Sequence, residues 1–397
     1  MTISKKIEHF MENSSWIRKM FEEGNALKKR IGEENVCDFS LGNPISEPPP
    51  QFHQALQQVI NDRTPGQHRY MPNAGYPETR KYIADILSKE SDLPVSADHI
   101  IMTCGAAAGL NVIFKTILNP GDEVILFSPY FAEYIFYVNN NAGTPKIVET
   151  ADNFNINIHN LEKAINDKTK AVLVNSPNNP TGIVYHESVL KEMCTLLDRK
   201  SKNYNQTIYL ISDEPYKKIV YDDIVVPAIL KLYNHSIIVN SHSKDLSVPG
   251  ERIGYIGVSP QCTDWERIIS GAVFCNRTLG FVNAPALMQR VIRRLKNVSV
   301  NVRDYQQKRD LLYSSLIKMG YEMVKPQGAF YLFPKSPVKD ELEFIKTLYS
   351  KNILTVPGRG FGRSGYFRVS YCVAQSVIER SLEGFKEAIS QSLGTGN

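Results

Sequence analysis

Lys244 lies in Ser241-His-Ser-Lys244, and a Pro-Gly bend then delivers an arginine in Pro249-Gly-Glu-Arg252-Ile-Gly254. A protonated lysine amine is a poor nucleophile. Desolvation or a neighbouring cation lowers its pKa and lets it form a Schiff base with an aldehyde. Arginine binds phosphate oxygens through a bidentate fork, and serine hydroxyls add neutral donors. Ser241, Ser243 and Arg252 therefore suit a phosphate. A lysine bonded to a phosphate-bearing aldehyde describes pyridoxal phosphate. For this segment alone, the alternative is a solvated loop lysine beside an arginine.

Two segments upstream bear on that choice. Tyr209-Leu-Ile-Ser-Asp213 reads as a buried strand ending at a carboxylate, followed by Glu-Pro-Tyr216. Ligands of open α/β sheets bind beyond the carboxyl ends of the strands. Asp213 there could pair with a protonated pyridine nitrogen and hold the ring as an electron sink, or it could cap a helix. Ala171-Val-Leu-Val leads into Asn175-Ser-Pro-Asn-Asn-Pro-Thr-Gly182, a strand running into a turn. Asn179 could donate to a phenolic oxygen of the cofactor or simply shape that turn.

Taken together with Phe367-Arg368-Val-Ser370, these strings and their order resemble the class I and II aminotransferases of the fold-type I pyridoxal phosphate superfamily. The likeness is aspartate aminotransferase-like and runs from about Phe39 to about Val373. It implies that Lys244 holds pyridoxal 5′-phosphate and moves the substrate Cα proton, and that Asp213 keeps the ring nitrogen protonated. Asn179 and Tyr216 would serve the phenolic oxygen. Ser241, Ser243 and Arg252, with the amides of Gly105, Ala106 and Ala107, would hold the phosphate. Phe131 would stack on the ring, and Tyr70 would reach the phosphate across a homodimer interface. Arg368 would grip the substrate α-carboxylate, with Gly42 of Leu41-Gly-Asn-Pro44 approaching the same group and Asn179 beside it.

The resemblance implies a ping-pong exchange between an amino acid and a 2-oxo acid. Aspartate and 2-oxoglutarate are the expected pair, with aromatic or prephenate substrates as the alternative. One aspartate-specific branch has a lysine where this chain has Ala107. Arg277, in Cys275-Asn-Arg-Thr278, is the candidate reader of a distal carboxylate, with Arg359 and Arg363 behind it. A C–S lyase or decarboxylase on the same fold is a rival. A ligand-binding regulator is another, though the roughly 40 residues before Leu41 are short for a helix-turn-helix module.

The elements that must position these residues are an alternation of strands and helices. Ile100-Ile-Met-Thr103 ends at Gly105, and Leu110, Ile113, Phe114, Ile117 and Leu118 then give a helical stripe. The small residues at that helix start could be an anion site or a close-packed turn; the resemblance favours the first. The alternation continues to about residue 260 and predicts an α/β fold, a mostly parallel mixed sheet between helices, with a smaller α+β domain. We expect an amino-terminal segment of the small domain at 1–49, a large cofactor domain at 50–285 and a small carboxy-terminal domain at 286–397. One long charged helix is expected from Ala286 to about Met319. Short strands are expected around Ala329–Phe333 and Phe367–Tyr371, and a last helix over Ser376–Ser390.

Across 397 residues, 42% hydrophobic and 22% charged content is ordinary for a globular protein, and a net charge of +5 is mild. No basic stripe interleaved with aromatics suggests nucleic acid. The cysteines Cys37, Cys104, Cys194, Cys262, Cys275 and Cys372 form no C-x-x-C pair and no metal-ligand spacing, so no metal is expected. The amino terminus has no signal-peptide pattern and no run reaches membrane-span length, so a cytoplasmic protein without membrane partners is expected.

Overall fold

Runs such as Val124–Phe127 and Ala171–Val174 carry no polar residue, a pattern that suits strands covered on both faces. A computed structural model, which describes residues 2–13, 16–296 and 298–394, contains a seven-stranded sheet that buries them. Its strand order is Ile100–Thr103, Gly254–Val258, Ser236–Ser241, Tyr209–Asp213, Thr169–Asn175, Glu123–Ser128 and Thr144–Glu149. Gly254–Val258 runs antiparallel to both neighbours and the remaining pairings are parallel. This is the mostly parallel mixed sheet expected from the sequence.

Alternation along each strand sorts its side chains between two helical layers. Val124 and Leu126 pack with Leu110, Ile113, Phe114 and Ile117 of the helix Gly105–Ile117. Ile125 and Phe127 face the other way, onto Leu190, Met193 and Leu197 of the helix Glu187–Tyr204. Register then aligns the functional ends. Asn175 lies opposite Asp213. Ser241 and Thr103 both lie opposite Gly254, where the antiparallel strand begins just after Arg252. One edge of the sheet therefore collects Thr103, Asn175, Asp213, Ser241 and Arg252.

The carboxy-terminal part is built on a small antiparallel sheet, Val356–Pro357, Phe367–Ser370 and Tyr331–Leu332, with Phe367–Ser370 in the middle. The amino-terminal strand Cys37–Asp38 pairs in parallel with Ile353–Leu354, and Phe39 packs on Phe385 of the last helix, Gln375–Gly394. Helices Lys5–Asn13 and Trp16–Ile31 precede that strand.

The single helix expected from Ala286 to Met319 is two: Ala286–Ile292, which packs on Pro50–Asn61, and Val302–Lys318. The sequence between them contains Val298-Ser-Val-Asn301, poor helix formers. Tertiary bonds also hold it: Val300 N–H and Ser299 Oγ donate to the Asp245 carbonyl at 2.8 and 3.2 Å. Among the described residues, no helix is long and apolar enough to cross a membrane.

Candidate active site

A cavity of about 310 Å³ opens at the collecting edge of the sheet. At one end the chain leaves Thr103, turns at Cys104 and enters the helix at Gly105 with φ +81°. A Cβ at Gly105 would lie 2.8 Å from Arg252 Nη2, so only glycine lets the helix start beside that guanidinium. Arg252 is itself left-handed, φ 49°, and donates to Pro249 O at 2.8 Å and Cys104 O at 3.3 Å. Ala106, Ala107, Ser241, Ser243 and Arg252 all line this end. Helix amides, paired hydroxyls (Ser241 Oγ to Ser243 Oγ, 3.2 Å) and one guanidinium make a cradle for an anion.

Lys244 sits in the single turn His242–Asp245 that follows the strand Ser236–Ser241. Its Nζ donates to Gly42 O at 2.7 Å. Burial, with the Arg368 and Arg252 guanidiniums adding repulsion, brings this ammonium down to about 8. A usable fraction is then the free amine near neutrality.

Asp213 ends its strand fully buried. Asn175 Nδ2 donates to the Asp213 carbonyl at 2.9 Å, Tyr134 Oη donates to Oδ2 at 2.6 Å, and Oδ1 has no partner. Burial pushes this carboxyl up to about 7 against the pull of the Tyr134 bond, and the neighbouring Glu214 adds to the rise. A carboxylate in such a position calls for a cation.

The wall opposite the cradle is tied together by polar contacts. Asn175 Oδ1 accepts from Asn179 N–H at 2.7 Å, and Asn179 Oδ1 accepts from Arg368 Nη1 at 3.1 Å. Arg368 Nη2 donates to Ser40 O at 2.6 Å, while Nε has no partner. Its guanidinium lies between the rings of Tyr331 and Phe361, each 4.7 Å away. Tyr331 Oη is 2.8 Å from Tyr216 Oη and would lie 2.1 Å from a Cβ at Gly42, which makes glycine necessary there. Phe131 lines the cavity and meets Tyr134 edge-on at 5.4 Å.

The cavity thus gathers Gly42, Ala106, Ala107, Phe131, Asn179, Asp213, Tyr216, Ser241, Ser243, Lys244, Arg252 and Arg368, with Gly105 beside Arg252. It does not gather Tyr70 or Arg277. Tyr70 is 92% exposed and borders a separate surface hollow with Phe281 and Val282. Arg277 is exposed near the end of the helix Trp265–Thr278, over the ring of Phe274. Arg359 is held by Glu341 at 2.7 Å and Asp340 at 2.6 Å; Arg363 faces Asp152 and Glu149 at 3.7 and 3.8 Å. Sequence reasoning missed Tyr134, Tyr137, Asn175 and Tyr331 as wall residues. Only Asn175, at a strand end, carried a local signal.

Fold and cavity define an enzyme of small molecules, with a largely desolvated amine, a buried carboxylate and a buried guanidinium around one cavity. The chain belongs to the family described as aminotransferase class I and II, which matches residues 34–385, and it is an aminotransferase. Members of that family normally use pyridoxal phosphate. A probable aspartate aminotransferase of Methanocaldococcus jannaschii is 32% identical over 90% of this chain and 94% of its own length. An amino transferase of Eubacterium rectale superposes with TM-score 0.94 at 37% identity, over 98% of this chain and 99% of that one. The aspartate aminotransferase of Thermus thermophilus with maleate superposes at 0.86 and 27% identity, over 98% and 100%.

Proposed function

We propose that the chain exchanges an amino group between an acidic amino acid, aspartate foremost, and a 2-oxo acid such as 2-oxoglutarate, using pyridoxal 5′-phosphate in two half-reactions. The observation that carries this reading is the buried set of Lys244, Asp213 and Arg368 around one cavity with an anion cradle at its end. The residues fit the cofactor. The cradle suits a phosphate, the unpartnered Asp213 Oδ1 suits a protonated ring nitrogen, and Lys244 is the partly neutral amine an aldehyde needs. When bound, the cofactor supplies an aldehyde for the amino group and a conjugated ring that takes up the electron pair left at Cα.

The chain's own residues do the rest. Ser241, Ser243, Arg252 and the amides from Gly105 to Ala107 anchor the phosphate, and Phe131 covers a ring face. Asn179 and Tyr216 hydrogen-bond the phenolic oxygen. Arg368 holds the α-carboxylate in its fork, with Gly42 close by. Its desolvated, ring-sandwiched setting makes each bond stronger than at a surface. Lys244 Nζ removes the proton from the substrate Cα as general base. Burial supports this role, since an amine near 8 accepts a proton at neutral pH and still returns it.

The acidic substrate draws support from the names of the M. jannaschii and T. thermophilus proteins and from the dicarboxylate maleate bound to the latter. It asks for a distal cation from a second copy of the chain. The exposure of Arg277 and Tyr70 supports a homodimer in which each serves the partner's cavity. Aromatic or prephenate substrates are the second reading. Among the described residues the wall's cations are Lys244, Arg252 and Arg368, all committed, while Phe131, Tyr134, Tyr137 and Tyr331 offer rings. The free cysteines support a reducing compartment such as the cytoplasm.

Borohydride reduction of the loaded protein should fix the cofactor on Lys244, found by peptide mass; an adduct elsewhere overturns the reading. In a donor panel, Arg277→Ala should depress aspartate and glutamate and spare aromatic donors. Equal losses remove Arg277 from the site, and an unmutated enzyme that ignores aspartate establishes the aromatic reading.

A further inference from the structure

Burying a phenol deprives its hydroxyl of water, and such a group needs a partner. Tyr134 is 3% exposed and opens the helix Tyr134–Asn140, three residues beyond Phe131. Its position is fixed on several sides. Ser128 Oγ donates to Gly362 O at 2.6 Å and Tyr130 N–H to Phe361 O at 3.0 Å, which holds the turn before the helix. The Phe131 ring meets Tyr134 edge-on, and Phe10 packs on Phe136 at 5.1 Å on the same helix. Among the described residues, its hydroxyl makes one hydrogen bond, donating to Asp213 Oδ2 at 2.6 Å.

We propose that Tyr134 is a positioning residue for Asp213: its phenol donates to Oδ2, favours the anionic form of the carboxylate and leaves Oδ1 as the oxygen for the ring nitrogen of the bound cofactor. The proposal rests on the reading of Asp213 given above. The direction of the bond follows from charge. Burial and the Asp213 carboxylate both hold the Tyr134 phenol far above its ordinary value, so Tyr134 remains the donor. The other titratable groups around Asp213 cannot take this part. Tyr137, one turn along the helix, feels Asp213 only through its charge and makes no hydrogen bond to it. Tyr216 Oη lies against Tyr331 Oη and not against Asp213, and Glu214 only adds negative charge. Arg252 bonds the carbonyls of Pro249 and Cys104, and Lys244 that of Gly42. Without Tyr134, a buried carboxylate would keep no donor to its side chain, and its neutral form would be favoured. A neutral acid does not hold a pyridinium proton as an anion does.

The test follows two nuclei. In the full chain freed of cofactor, the ¹³C-labelled Asp213 carboxyl is titrated in three proteins: unmutated, Tyr134→Phe, and one with a ring-fluorinated tyrosine at 134. The fluorinated ring keeps the shape and donates a stronger bond, so this protein folds even if the phenylalanine variant does not. Asp213 should titrate higher in Tyr134→Phe and lower with the fluorinated ring. The upward shift should be about one pH unit or more, the tenfold or greater effect of a lost charge-assisted bond. In the loaded proteins, the ¹⁵N signal of the labelled pyridine should stay that of the protonated ring in the unmutated enzyme. In Tyr134→Phe it should lose the proton at a lower pH. Tyr137→Phe should leave the ¹⁵N signal where it is. Asp213 titrating alike in all three proteins, or an unmoved ¹⁵N titration in Tyr134→Phe, overturns the proposal. An unprotonated ring in the unmutated enzyme instead overturns the role given to Asp213 itself.

Discussion

Replacing Asp213 by asparagine should make the cofactor-free protein relatively more stable as pH rises, while removing its activity. In the folded, cofactor-free chain the Asp213 carboxyl is pushed up to about 7 by burial; in an unfolded chain it titrates near the ordinary 3.8. Between those values the folded state holds a proton that the unfolded state has lost. Stability from this group is therefore full below the unfolded value and declines as pH rises through the folded one. Each pH unit in that window costs about 1.4 kcal/mol. From pH 5 to 7, where the slope eases as the folded group itself titrates, the unmutated protein should lose about 2 kcal/mol relative to Asp213→Asn, with little further change above pH 8. The asparagine has its own cost, because one amide group takes over the unpartnered place of Oδ1. That cost is the same at every pH and drops out of the pH-dependent difference. The assay is urea unfolding of both cofactor-free proteins at one concentration from pH 5 to 8. A stability difference that does not change with pH would refute the claim that Asp213 is a buried, strained carboxylate. Saturating cofactor should shrink the effect in the unmutated protein, because the ring cation replaces the missing partner of Oδ1.

Further outcomes concern substrate and assembly. Arg368→Lys should lower kcat/KM for every amino donor alike by about 10- to 100-fold, the equivalent of one charge-assisted bond at roughly 1.5–3 kcal/mol; a loss confined to one donor class contradicts its role as reader of the α-carboxylate. Tyr70→Phe should weaken cofactor retention, measured by dialysis and absorbance. Mixing Tyr70→Phe with Lys244→Ala chains should restore activity through one intact site per dimer, and a monomer fully active at high dilution excludes that arrangement.

The sheet was legible because its apolar runs admit few other fates, and Ser241-His-Ser-Lys244 because its chemistry depends on residue types within one turn. Asn175, Asp213 and Ser241 announce themselves as polar residues closing apolar strands, and the structure brings their strand ends to one edge. Tyr134 and Tyr331 gave no such notice. An aromatic in an apolar stretch reads as core, and so each is on its hydrocarbon side. Their functional contacts are made with Asp213, 79 positions away, and Tyr216, 115 positions away. The break before Val302 had a local signal in the poor helix formers Val298-Ser-Val-Asn301, but the Asp245 carbonyl that holds Val300 is remote in sequence, and charge patterning along a helix face cannot anticipate it. Arg277 and Tyr70 rest on the family resemblance alone, and within one chain nothing draws them inward.

The pairing of Asn175 with Asp213, and of Ser241 with Gly254, has a bearing on how this chain tolerates error. A strand residue one place out of step turns to the opposite face. A one-residue slip of Tyr209–Asp213 would send the carboxylate to the side of Leu210 and turn Ser212 toward the cavity. The same slip would bring Leu210 onto the face that Ile211 now covers. The misaligned sheet is thus penalised in its packing before its chemistry is ever tried. A copy of this chain stable enough to persist has, by the same contacts, already set its acid, its amine and its anion cradle on one rim. In this molecule, proofreading of the fold and proofreading of the reaction centre are a single event.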